Sequence, residues 1–244
     1  MDTKNSFPNV RVLSKKHLWF KALSYWAKFK LNRLPSFNLS HSQFGEDMVL
    51  RSLIGDKTDG FYIDIGAHHP IYYSNTFHFY CKGWRGVNID ALPGSMSAFR
   101  SIRPKDVNLE ICVSDSEVDL DFYIFDQPAL NTIDKKIAED LIKSKRAKLI
   151  ERRGLKAMTV TQILEQHLPP GQVVDILNID LEGADEKIIK SIDWKKHRPR
   201  FIVFESHAAK ISDLHLNPIA QFLKGQGYEV VAKCGPSLIA AEIL

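Results

Sequence analysis

Residues 60–70 read GFYIDIGAHHP. Residues 60–67 form a short apolar run closed by an acid and a glycine. A run with little polar interruption predicts a strand buried on both faces, followed by a tight turn. The turn discriminates between ligand classes. Counting from Gly66, a dinucleotide-binding turn would need glycines where His68 and Ile71 stand. A phosphate-cradling loop would end in Gly-Lys-Ser/Thr, and this loop has no lysine. Asp64 beside the small pair Gly66 and Ala67 suits a ligand with an amine and a positive centre, as in S-adenosylmethionine.

Working outward, residues 86–91 (GVNIDA), 106–115 (DVNLEICVSD), 173–183 (VVDILNIDLEG) and 199–207 (PRFIVFESH) predict four further strands. Helical patterns separate them at 42–54, 74–83, 93–102, 158–168, 184–192 and 217–225. In the first helix Met48, Leu50, Leu53 and Ile54 are expected inward, and in the second Ser74 or Asn75 is expected as the cap. Residues 120–125 predict an extra strand. The charged stretch 135–154 (KKIAEDLIKSKRAKLIERRG) predicts an exposed helix or lid. Residues 228–242 predict a final hairpin through Cys234, Gly235 and Pro236. Alternating strands and helices indicate an α/β, doubly wound, Rossmann-like sheet.

In such a sheet the ligand sits beyond the carboxyl ends of the strands. Asp64 and Gly66, Asp90, Ser114 and Asp115, and Asp180 and Glu182 all stand at predicted strand ends. Asp90 lies 24 residues after Gly66, about the spacing at which a carboxylate meets a ribose diol. The competing reading is that Asp64 and Asp180 only cap helix N-termini.

The segments SQFGED (42–47), GFYIDIGAHHP (60–70), SNT (74–76), GWRGVNIDALP (83–93), VDILNIDLEGAD (174–185) and GYEVV (227–231) resemble the FkbM-type S-adenosylmethionine-dependent methyltransferase family. The resemblance runs from Ser42 to about Ala240. It implies a seven-stranded methyltransferase sheet and O-methylation of a sugar or related hydroxyl of a glycan, polysaccharide or glycosylated metabolite. It also adds Gln43 and Glu46 on the cofactor side. The sequence departs from the family pattern at Pro70, Asn178, Asp90 and Asp185, where the family often has glycine, lysine, glutamate and glutamate. On this reading Asp64, Gly66 and Ala67 hold the methionine end, Asp90 with Ala91 beside it holds the ribose, and Ser114 and Asp115 face the adenine. Asp180, Glu182 and His207 are the candidates for acceptor binding and base work. The rival readings are a catalytically silent, membrane-associated interaction module and a nicotinamide dehydrogenase.

The 244 residues are 44% apolar and 25% charged, an ordinary globular composition. Three separated cysteines give neither a disulfide framework nor a zinc site, no metal is expected, and a cytoplasmic setting fits. Charge is uneven. Residues 1–40 carry eight Lys/Arg against one acid, Asp2, while the whole chain is only +4. Within that stretch the spacing over 15–34 predicts a basic amphipathic helix with Trp19 and Trp26, ended by Pro35. The division expected is an arm over 1–39 and a methyltransferase domain over 40–244. The arm has two readings: peripheral contact with the anionic inner face of a membrane, or packing on its own domain or a twin subunit in an oligomer. Nucleic acid is disfavoured, since the rest of the chain is acidic and carries no recognition motif.

Overall fold

A computed structural model describes residues 38–127, 130–181, 183–206 and 210–243. The basic helix expected at 15–34 therefore lies outside the described residues, as do Glu182 and His207.

Seven strands form the main sheet: β1 Phe61–Ile65, β2 Arg85–Asp90, β3 Val107–Glu110, β7 Ile176–Ile179, β8 Phe201–Glu205, β9 Tyr228–Cys234 and β10 Ser237–Glu242. Their order is β3-β2-β1-β7-β8-β10-β9. β3, β2, β1, β7 and β8 pair in parallel, and β10 runs antiparallel to both β8 and β9. The α/β sheet with a C-terminal antiparallel hairpin is thus the architecture expected. The chain reverses direction between β1, which leads outward through β2 to β3, and β7, which leads the other way. In a doubly wound sheet that crevice is where ligands bind.

Side chains alternate along each strand, so one sheet supports two cores. Ile63, Ile65, Val87, Ile89, Leu177, Ile179, Ile202 and Phe204 pack on one face. That face is covered by helices α5 Val160–His167, α6 Asp185–Ser191 and α7 Pro218–Gly225. Tyr62, Ile176, Val203 and Ile239 point to the other, against Leu50 of α1 Glu46–Ile54, Phe79 of α2 Phe77–Cys81, and Trp84.

Four expectations need correction. The strand expected over 106–115 breaks at Ile111: β3 stays in the main sheet, while β4 Cys112–Val113 leaves it to pair with β6 Leu149–Met158. The charged stretch is only half helical. After α4 Lys135–Lys143, residues Leu149–Met158 form β6, which pairs antiparallel with β5 Asp119–Phe125. Cross-strand charges such as Arg152 with Asp121 stand where alternating apolar residues would have marked a strand. Leu53 is exposed, because only one stripe of the short α1 meets the sheet. Finally, α2 starts after Thr76; the Ser74 hydroxyl accepts from the amides of Thr76 and Phe77, and the Asn75 amide group donates to Asn178 instead.

β4, β5, β6 and α4 form a separate unit beside the sheet, with its own small core of Tyr123, Phe125, Ala138 and Leu141. Helix α3 is Met96–Ile102. Among the described residues no helix is long and apolar enough to cross a membrane.

Candidate active site

The turn after β1 is built by close backbone approach. The amides of Gly66 and Ala67 both donate to the Ile89 carbonyl of β2, at 2.9 and 3.0 Å. On the other side the Asp180 amide donates to the Ile65 carbonyl at 3.0 Å. Gly66 has φ 78°, and a Cβ placed there would lie 1.8 Å from the Asp180 carbonyl oxygen. Only glycine lets the turns after β1 and β7 meet. Asp180 therefore stands at the crevice, beside Gly66, and is half-buried.

Asp90, at the end of β2, closes the turn from the far side. Its Oδ2 accepts from the His68 amide at 3.0 Å and its Oδ1 from the Leu92 amide at 2.7 Å. His68 is held at φ 49°, a left-handed conformation costly for a side chain with a Cβ. Burial raises the Asp90 carboxyl pKa, against the pull of the two amides. A carboxylate offers about four lone-pair sites, so two backbone contacts leave room for a diol. Ala91 is half-buried beside it. Ala67 directs its methyl away from the crevice, into a cluster with Met96 and Phe99 of α3.

Asp64 lies behind the turn rather than in it. The strand period puts it on the face of Tyr62, under α2, where it is 2% exposed. The Thr76 hydroxyl donates to its Oδ2, and the Asn178 amide group donates to Oδ1 at 2.9 Å. Burial raises its pKa; the Arg103 charge and those two hydrogen bonds lower it.

The remaining candidates spread further. Ser114 follows β4 and is buried, and its hydroxyl donates to the exposed Asp115 at 3.1 Å. Gln43 is exposed. Glu46 is buried and fastens α1 to the hairpin: its Oε1 accepts from the Ser237 hydroxyl at 2.8 Å and its Oε2 from the Phe44 amide at 2.9 Å. Helix α4 borders the crevice, since its Ile137 lies 3.8 Å from where a Cβ on Gly183 would stand. A cavity of about 620 Å³ runs along α4, lined by Ile137, Leu141, Ser144, Asp140, Lys143 and Arg146. Among the described residues no group of three His, Cys, Asp or Glu is arranged to hold a metal ion.

Sequence reasoning missed a polar cluster behind the turn, made by Ser74, Thr76, Asn88, Arg103, Asp106 and Asn178. One signal was available: Asn88, Asp64 and Asn178 sit in register across β2, β1 and β7. Three polar residues at matching places in otherwise apolar strands mark a shared buried network.

A sheet of this order, with a lone antiparallel strand between β8 and β9 and its glycine turn at the reversal point, defines the methyltransferase class of α/β folds. The chain belongs to the family of the methyltransferase FkbM domain, whose model matches residues 64–230. No protein of curated function matches the chain. Among solved structures it is loosely similar to an O-methyltransferase from Bacillus cereus in complex with SAH, at 14% identity and TM-score 0.39, covering 96% of this chain and 94% of that one. It is also similar to the 1,6-didemethyltoxoflavin-N1-methyltransferase of Burkholderia thailandensis, at 11% identity and TM-score 0.42, covering 100% and 94%. The Methanococcus jannaschii fibrillarin pre-rRNA processing protein gives 10%, 0.41, 81% and 76%.

Proposed function

We propose that the protein is an S-adenosylmethionine-dependent O-methyltransferase acting on a sugar hydroxyl of a glycan, polysaccharide or glycosylated metabolite. The observation that carries the cofactor half is Asp90: a half-buried carboxylate at the end of β2, with spare lone pairs, beside a turn whose glycine brings backbone close. S-adenosylmethionine, when bound, supplies a methyl group made electrophilic by the adjacent sulfonium. Asp90 would accept from the ribose hydroxyls, and the Gly66 and Ala67 backbone would border the methionine end. Ser114 and Asp115 would stand towards the base, with Gln43 and Glu46 as further cofactor-side candidates. Asp64 supports the turn from behind.

The chain's remaining tasks are to align the acceptor and remove the hydroxyl proton. Asp180, next to Gly66, is the described residue best placed for this, with Glu182 and His207 as the other candidates. An ordinary carboxylate is a weak base for an alcohol, so this role requires burial on acceptor binding. The cavity along α4 offers the acceptor an approach. We further propose that residues 1–39 act as a basic arm that brings the 40–244 domain to an anionic membrane, where a lipid-linked glycan would be met.

Isothermal titration with S-adenosylhomocysteine and with NAD tests the cofactor half. Binding of the first and not the second is expected. Binding of neither would favour the silent interaction module. Products from a glycan and lipid panel, read by mass spectrometry, test the acceptor.

A further inference from the structure

Arg103 follows α3 and is completely buried. A buried cation is costly, and an apolar side chain of similar size would fill the same space more cheaply. Among the described residues no carboxylate forms an ion pair with it. Its nitrogens donate instead to four neutral acceptors: Nε to the Pro70 carbonyl at 2.8 Å, Nη1 to Thr76 Oγ1 at 2.8 Å and to Asn88 Oδ1 at 2.9 Å, and Nη2 to Ser74 Oγ at 2.6 Å. The rings of Phe77, Tyr80 and Phe99 surround the guanidinium at 5.3 to 5.8 Å.

The charge is balanced through relays. Thr76 accepts from Arg103, and its own hydroxyl donates to Asp64. Asn88 accepts from Arg103 and donates to Asp106 at 3.0 Å. Three of the four acceptors, Pro70, Ser74 and Thr76, lie on the connection from β1 to α2, which carries the glycine turn. The same α3 supplies Met96 and Phe99, against which Ala67 packs.

The geometry points to Arg103 as a positioning residue for cofactor binding: it fixes the back of the 66–76 connection while Asp90 fixes its front at His68. Only a planar fork with five donors reaches all four acceptors at once; a lysine keeps the charge and loses the fork. The proposal rests on the cofactor reading above.

The test uses the full chain with Arg103→Lys, at a temperature where circular dichroism shows it folded. S-adenosylhomocysteine affinity should fall at least tenfold. Amide exchange should accelerate at residues 67–69 and 71 while β7 and β8 amides keep their protection. As a control, Asp175→Asn at the opposite end of the sheet should lower Tm and leave the affinity unchanged. Unchanged affinity in Arg103→Lys, or exchange that accelerates evenly across the sheet, overturns the proposal. If Arg103→Lys does not fold, Ser74→Ala removes one acceptor and should give the same local acceleration with several-fold weaker binding; wild-type behaviour there overturns it. If the wild type itself fails to bind S-adenosylhomocysteine, the cofactor reading falls, and the exchange pattern alone then decides whether Arg103 holds this turn.

Discussion

Gly66 and Asp90 do their work within one turn, and each has a separable consequence. At Gly66 a side chain meets both a left-handed backbone and the Asp180 carbonyl oxygen. Gly66→Ala should therefore cost about 3 kcal/mol or more, because two strand turns must part to relieve it. Urea unfolding reads this directly; a loss below 1 kcal/mol would mean the turns are free to shift. Asp90→Ala should be milder for the fold and stronger for the ligand. Losing charge-assisted bonds to the ribose should weaken S-adenosylhomocysteine by roughly 1.5–3 kcal/mol, about tenfold or more. Wild-type affinity in that variant would remove Asp90 from the cofactor site. The sequence placed Asp90 and Gly66 at the strand ends correctly. It assigned Asp64 to the ligand because it read the strand's end without its alternation, which turns that carboxylate under α2.

Among elements, α2 carries a built-in acid sensitivity. His78 is 1% exposed, and burial, followed by the charges of Lys82 and Arg51, lowers its pKa from 6.5 to about 3. The unfolded chain takes up this proton first as pH falls through 6.5. The contribution of neutral His78 to stability is thus fully present above 6.5 and is lost progressively as pH falls toward 3. At pH 5 the loss should be about 2 kcal/mol. The raised carboxyls of Asp64 and Asp106 act in the opposite sense, since the folded state binds their protons first. Comparing wild type with His78→Leu isolates the imidazole: the drop in unfolding free energy between pH 7.5 and 5 should be smaller in the variant by that amount. An equal drop in both would show that His78 is protonated without penalty in the folded state. The β5–β6 pair teaches a different lesson. Its exposed face carries charged side chains, with Arg152 of β6 paired to Asp121 of β5 and Lys156 to Glu117 just before β5, so β6 has no alternation of apolar residues to announce it.

For the whole molecule, a buried charge cluster and the candidate site stand at opposite ends of the sheet. At the amino ends, buried Asp175 accepts from Lys57 at 2.7 Å, from the Phe61 amide at 3.0 Å and from Arg200 at 3.5 Å. It ties β1, β7 and β8 together before they run to the crevice. Asp175→Asn should cost roughly 2–3 kcal/mol in unfolding free energy, with unchanged S-adenosylhomocysteine binding by titration; altered binding would show that the two ends communicate. The basic arm is tested at the same scale. Each cation near an anionic surface contributes about 1 kcal/mol, screened within a Debye length. Full-length protein should co-sediment with phosphatidylserine vesicles at low salt and release at high salt, and a chain starting at Asn38 should not bind. Vesicles that leave the full-length protein in solution at low salt would return the arm to the packing reading.

What the sequence determined by itself is the order of the elements that build the main sheet and the class of that sheet. Short apolar runs at 60–67, 86–91, 173–183 and 199–207 are local signals: each has to be buried on both faces, and a parallel sheet covered by helices is the arrangement that does so. The glycine at the first turn and the acid 24 residues later are local in the same way. The tertiary structure alone decided which polar groups stand at the crevice and which face one another. Arg103 stands in FRSIRPKD, a stretch that reads as a charged surface, and is buried only because Pro70, Ser74 and Thr76 of the connection after β1 and Asn88 of β2 converge on it. The Asn88–Asp64–Asn178 row exists only once β2, β1 and β7 are in register. A side chain's hydrogen-bond partners lie far away along the chain, and burial is settled by packing, so no local pattern records them.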